Sequence, residues 1–117
     1  MKNYKELIVW QKGMNLTDLV YALTRKLPPE ELYGLISQLR RSAISIPSNI
    51  AEGYGRGSTK DYIRFLKTSR GSLYELETQL LIAVRQEFLT DSEVSESLKL
   101  INEIERMLNS LIAKLQQ

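Results

Sequence analysis

The chain of 117 residues contains no cysteine and no histidine. Without thiols it has no disulfide, no thiolate nucleophile and no cysteine-built zinc site, and without imidazole it lacks the commonest general base and the commonest metal ligand. Neither sign of charge dominates, since 16 Lys and Arg against 14 Asp and Glu leave +2. No stretch approaches the roughly 18 apolar residues that a membrane span requires. The amino terminus, Met-Lys-Asn-Tyr-Lys-Glu-Leu-Ile-Val-Trp-Gln-Lys, has a short apolar run followed by charge, unlike a secretory signal. Strand alternation and hairpin dipeptides are missing, which removes the raw material of a β-sheet. The expectation is a cytoplasmic, non-enzymatic protein with no membrane segment, no metal and no cofactor, folded as one domain over residues 1–117.

What is present is helical periodicity, carried even through a proline. Leu35, Leu39, Ala43, Ile46, Ile50 and Tyr54 recur at threes and fours on both sides of Pro47, with no turn cluster between them. An interior proline removes one backbone donor and crowds the carbonyl four residues earlier, at Ala43, at a cost of about 3 kcal/mol. Ser42, Ser45 and Ser48 are the local candidates for bonding the freed carbonyls.

Three further helices bracket this one. The first is expected over about Val9 to Lys26, with Trp10, Met14, Thr17 and Tyr21 beside Leu16, Leu19, Val20 and Leu23 on its apolar face, and Leu27-Pro28-Pro29 stops it. Pro29, Glu30 and Glu31 suit the first turn of the second helix, which ends in the glycines of Gly53-Tyr54-Gly55-Arg56-Gly57. Ser58 with Asp61 resembles a capping box and opens a third helix that reaches about Gln86. Its inner face is Tyr62, Phe65, Leu66, Ser69, Leu73, Leu76, Leu80 and Val84. Thr90 with Glu93 opens the fourth, whose inner face is Val94, Leu98, Ile101, Ile104, Leu108, Leu111 and Leu115. Short connections between helices favour antiparallel neighbours. The predicted fold is all-α, an antiparallel up-down-up-down four-helix bundle with a proline-kinked second helix.

Several blocks along nearly the whole chain fit one known pattern. They are Val9-Trp10-Gln11-Lys12, Tyr33-Gly34-Leu35 with Gln38-Leu39-Arg40-Arg41, Ser45-Ile46-Pro47-Ser48-Asn49-Ile50-Ala51-Glu52-Gly53, and Arg70-Gly71-Ser72 with Glu75-Leu76-Glu77. Together they resemble the small four-helix bundle proteins encoded within intervening sequences of bacterial 23S rRNA genes. That resemblance implies a homopentamer, a barrel of five bundles around a central channel. A similar architecture occurs in the accessory variability determinant proteins of diversity-generating retroelements, which bind nucleic acid and a reverse transcriptase. The implied partners are therefore further copies of the chain, RNA or DNA, or a protein such as a polymerase.

Charge is unevenly spread. Residues 40–70 hold Arg40, Arg41, Arg56, Lys60, Arg64, Lys67 and Arg70 against Glu52 and Asp61, so this stretch of the chain carries +5 and the remainder −3. Lys60, Arg64 and Lys67, spaced by four and three, project from one side of the third helix, with Arg56 in the turn before it. These four are the candidate nucleic-acid-binding residues, although a solvated helix face has the same pattern. Arg40, Arg41 and Arg70 lie beside apolar positions, and the reading given to them is interhelical ion pairing with Glu52, Glu75 or Glu77, or else membership of the basic face. Gly53-x-Gly55-x-Gly57 lacks the strand before it that a phosphate-cradling loop needs, and is read as a turn. Trp10, Tyr54, Tyr62 and Phe65 sit at core or interface spacing, with Tyr54 left open as a base-stacking residue.

Overall fold

Each of the two longest helices starts where a hydroxyl can cap it. In the computed structural model, which describes residues 3–117, Ser58 precedes one and its hydroxyl accepts from the Asp61 amide at 3.3 Å. Thr90 precedes the other with a complete capping box, in which its hydroxyl accepts from the Glu93 amide at 3.1 Å and the Glu93 carboxylate accepts from the Thr90 amide at 2.9 Å. The helices are α1 (Ile8–Thr24), α2 (Ser37–Gly55), α3 (Thr59–Arg85) and α4 (Asp91–Leu115), and no strand occurs among the described residues. α1 packs on α2 and α4, and α3 packs on the same two, which closes a four-helix bundle measuring 44 × 23 × 20 Å.

The entry to α2 is less regular than expected. Pro29–Glu31 forms a single tight turn, Leu32–Ile36 a wide π-type turn, and Gly34 leaves helical backbone there (φ −110°, ψ −111°). The Glu31 carboxylate caps this turn by accepting from the Leu35 amide at 3.1 Å. α2 then runs uninterrupted through Pro47 to Gly55. At its end Gly57 takes the left-handed conformation (φ 76°), which only glycine adopts without strain.

The carbonyl freed by Pro47 finds its donor in α1, not in the nearby serines. The single proton of Thr17 Oγ1 is shared between its own Gly13 carbonyl at 2.9 Å and, as the longer arm, the Ala43 carbonyl at 3.3 Å. Ser42 and Ser45 instead point at α3, and Ser48 is exposed. α1 comes this close because Gly13 faces the proline: a β-carbon there would stand 3.3 Å from Pro47 Cβ. The buried stripe of α1 is accordingly Val9, Gly13, Leu16, Val20 and Leu23, and Met14, expected inside, faces solvent.

α2 and α3 meet along a seam of small polar side chains. Ser42 Oγ donates to Gln79 Oε1 at 2.9 Å, the Ser45 and Ser72 hydroxyls share a hydrogen bond of 2.8 Å, and Ser69 Oγ donates to the Ile46 carbonyl at 2.9 Å. Asn49 Nδ2 donates to both the carbonyl and the hydroxyl of Ser45, each at 2.8 Å. Among the described residues no buried side-chain polar atom lacks a partner. At the lower end of the seam Gly53 is a helical packing glycine rather than part of the turn, since a β-carbon on it would lie 2.7 Å from Phe65 Cβ.

Three outcomes follow. Thr17→Val, nearly isosteric, strands the Ala43 carbonyl and should cost about 1–3 kcal/mol in urea unfolding. Gly53→Ala should lower stability by a similar margin, roughly 1–3 kcal/mol from overpacking against Phe65, outweighing the ~1 kcal/mol gained in helix propensity. Glu93 is held below its ordinary carboxylate value by the Thr90 amide first and by Lys26, 3.0 Å away, second. A depressed folded-state value means stability that is present above the unfolded value, about 4.3, and is lost as pH falls through the folded one. The melting-temperature gap between wild type and Glu93→Gln should therefore narrow as pH drops from about 6 to below about 4.

Candidate nucleic-acid interface

The first three turns of α3 carry three of the basic side chains that the sequence singled out, and Arg56 precedes them in the turn. Lys60, Arg64 and Lys67 line one shallow open groove of about 510 Å³, with Ile63 and Thr68 completing its walls. Lys60 and Lys67 are exposed and make no ion pair among the described residues. Arg64 reaches Asp61, one turn back, at 3.6 Å, and Arg56 reaches Glu52 at 3.7 Å. Both pairs are exposed, so each neutralises its arginine only weakly.

Phe65 ties the fourth residue to the other three. The Arg64 guanidinium lies 4.6 Å from the centre of its ring and the Arg56 guanidinium 5.1 Å. These cation–π contacts hold both arginines near the turn between α2 and α3. The ring can sit there because Gly53 leaves room for it. Periodicity assigned Phe65 to the core, whereas it is half-buried and serves as the platform for two charges. Ile63 was not singled out, although its place one turn after Lys60 on the same helix was the available signal.

The neighbouring aromatic rings are paired. Tyr54 packs edge-on against Tyr62 with ring centres 5.9 Å apart, and burial, with Tyr54 beside it, pushes the Tyr62 phenol above its ordinary value. Trp10 packs against the core and edge-on to Tyr4 at 5.3 Å.

The other three arginines do not form the expected pairs with Glu52, Glu75 or Glu77. Arg40 Nε donates to Thr24 Oγ1 at 2.9 Å and its guanidinium lies 4.5 Å from the Tyr21 ring centre, which fastens α2 to α1 without a carboxylate. Arg70 Nη1 donates to Asn109 Oδ1 at 2.9 Å, fastening α3 to α4. Arg41 is exposed and lines a polar notch of about 310 Å³ with Gln38, Ser42, Ser45, Ser72 and Glu75, and no ion pair joins it to Glu75. Glu52 faces Arg56 at the end of its own helix, and Glu75 sits on the exposed side of α3, while neutral acceptors lie nearer to Arg40 and Arg70. Among the described residues the ion pairs between distant elements are Lys12 of α1 to Glu103 of α4 at 2.8 Å and Lys26, just past α1, to Glu93 of α4 at 3.0 Å. No group of three or more acidic residues among the described residues could hold a metal ion, and no helix is long and apolar enough to cross a membrane.

Comparison with known proteins agrees with this architecture. A crystal structure from Bacteroides thetaiotaomicron VPI-5482, of a protein described as of unknown function from the S23 ribosomal protein family, superposes with a TM-score of 0.83 at 26% identity, covering 90% of this chain and 98% of that one. No curated protein matches. Residues 5–110 match the pattern of the 23S rRNA-intervening sequence proteins, and with nearly the whole bundle inside that match the chain belongs to this family.

Proposed function

We propose that the protein is a non-enzymatic, cytoplasmic, homo-oligomeric bundle that binds RNA or DNA through Arg56, Lys60, Arg64 and Lys67. The observation that carries this reading is the groove on α3, where two exposed lysines without carboxylate partners flank an arginine. Such a ladder attracts phosphates and releases their counterions on contact. Backbone amides at the start of α3, beside Arg56, add to the favourable potential for an anion. Assembly is supported by large apolar side chains that the bundle leaves exposed, among them Ile8, Met14, Ile44 and Leu81. The pentamer is the copy number implied by resemblance to the family. Repetition around a ring lets each weak face act jointly with its neighbours.

Reversing the four charges to Glu should weaken binding to RNA and DNA by at least about tenfold in fluorescence anisotropy at low salt. Circular dichroism and light scattering should show helicity and an assembly larger than a monomer retained by both proteins. Unchanged affinity in the variant would reject the basic face and favour a scaffold for a protein partner, such as a reverse transcriptase. A monomer at micromolar concentration would reject the ring.

A further inference from the structure

We infer that the cavity at the α2–α3 turn takes one unpaired nucleobase, so that the basic face follows a single strand by its phosphates and anchors it by a base. This rests on the phosphate-binding reading above and names the part of the nucleic acid which that reading leaves open. The cavity, of about 210 Å³, is walled by Gly53, Tyr54, Gly57, Ser58, Thr59 and Tyr62. Sites for drug-sized ligands run to roughly 300–1,000 Å³, so this one suits a single base with its sugar and phosphate left outside. Tyr54 and Tyr62 meet edge to face, with ring centres 5.9 Å apart and planes at 89°. In that geometry the ring offering its edge has neither of its own faces covered by the other, which leaves a surface on which a base can stack. Both tyrosines are half-buried, so their rings are held in place before a ligand arrives. Ser58 and Thr59 add hydroxyls to the lining, which suit the polar edge of a base. The approach is clear, since a β-carbon on Gly55 or Gly57 would meet nothing within 4 Å.

The cations stand directly beside this cavity. Thr59 walls it, and Lys60, the next residue, opens the basic groove. Gly53 joins the two sites: a β-carbon on it would lie 2.7 Å from Phe65 Cβ and 3.2 Å from Tyr62 Cδ1. The ring that gathers Arg56 and Arg64 is therefore packed next to a ring that lines the cavity. Aromatic platforms joined to a cationic track are how proteins grip single strands. A base inside a duplex reaches such a cavity only after unstacking and unpairing, which costs a few kcal/mol, whereas an unpaired base enters without that cost. Tyr74, 45% exposed, lies one heptad past Lys67 on α3, but its hydroxyl donates to Glu105 at 2.5 Å, and a carboxylate there repels the phosphates of an approaching strand.

The test is an anisotropy titration at low salt with oligo(dT), oligo(U) and blunt duplex DNA of equal nucleotide count, comparing wild type, Tyr54→Leu, Tyr54→Phe and Tyr74→Ala. Tyr54→Leu keeps apolar bulk and loses the ring, and should weaken both single strands by roughly 5- to 150-fold while duplex affinity stays as in wild type. Tyr54→Phe and Tyr74→Ala should bind every probe like wild type. Oligo(dT) with 2-aminopurine spaced along it should lose fluorescence on binding wild type, because the reporter base stacks, and keep it when saturated with Tyr54→Leu. Wild-type single-strand affinity in Tyr54→Leu, or 2-aminopurine emission unchanged on binding wild type, would overturn the base pocket while leaving the basic face intact. A selective loss in Tyr74→Ala instead would overturn the pocket by placing the base at the other end of the track. Absence of binding by every probe would overturn the basic face itself.

Discussion

Pro47 leaves the Ala43 carbonyl without its usual donor, and the placement of α1 follows from where the replacement comes from. Thr17 offers a shared donor from the facing helix at 3.3 Å, where Gly13 lets α1 pack tightly against the pyrrolidine ring. The same turn of α2 is gripped from the other side by α3, whose Ser69 hydroxyl bonds the Ile46 carbonyl. A local defect in one helix thereby becomes a fixed point for three. Side-chain donors aimed at main-chain carbonyls specify one register, which apolar packing alone tolerates less strictly.

The basic groove depends on that fixed point through Gly53. Two turns beyond the proline, the missing side chain of Gly53 admits Phe65, and Phe65 in turn carries Arg56 and Arg64. Lys60 and Lys67 need no such support, because an exposed helix face presents them by periodicity alone. The face is thus half built and half incidental: two arginines are positioned by rings and carboxylates, and two lysines are free to follow a ligand.

Much of the fold was legible because the sequence punctuates it clearly. Thr90 and Glu93 mark the start of α4 with both halves of a capping box, and Ser58 marks α3 to the residue. The apolar stripe predicted through the proline holds in its middle, where Leu39, Ala43, Ile46 and Ile50 are fully buried, while Leu35, before α2 begins, and Tyr54, near its end, are half-buried. The errors share a physical cause, which is that periodicity records what lies on a face and not how near the opposite face comes. Met14 was placed inside where Gly13 belongs, Gly53 was taken for a turn glycine, and Thr17 was given no task beyond packing. The arginines were matched to carboxylates by charge, yet Arg40 and Arg70 met Thr24 and Asn109 because those were the acceptors within reach. The four basic candidates were legible as a ladder, but the ring that gathers two of them was not.

The polar seam between α2 and α3 also bears on how the chain reaches this state. Its partners are joined by a turn of three residues, so the first long contacts to form require closing only a short loop. Bundles whose neighbours in space are neighbours in sequence have low contact order and fold within microseconds to milliseconds. The α2–α3 hairpin matches its four serines and one asparagine within a unit closed by this short loop. Because Thr17 reaches a carbonyl 26 positions away, α1 is tied to the proline turn of α2 by a contact that the α2–α3 hairpin alone does not contain.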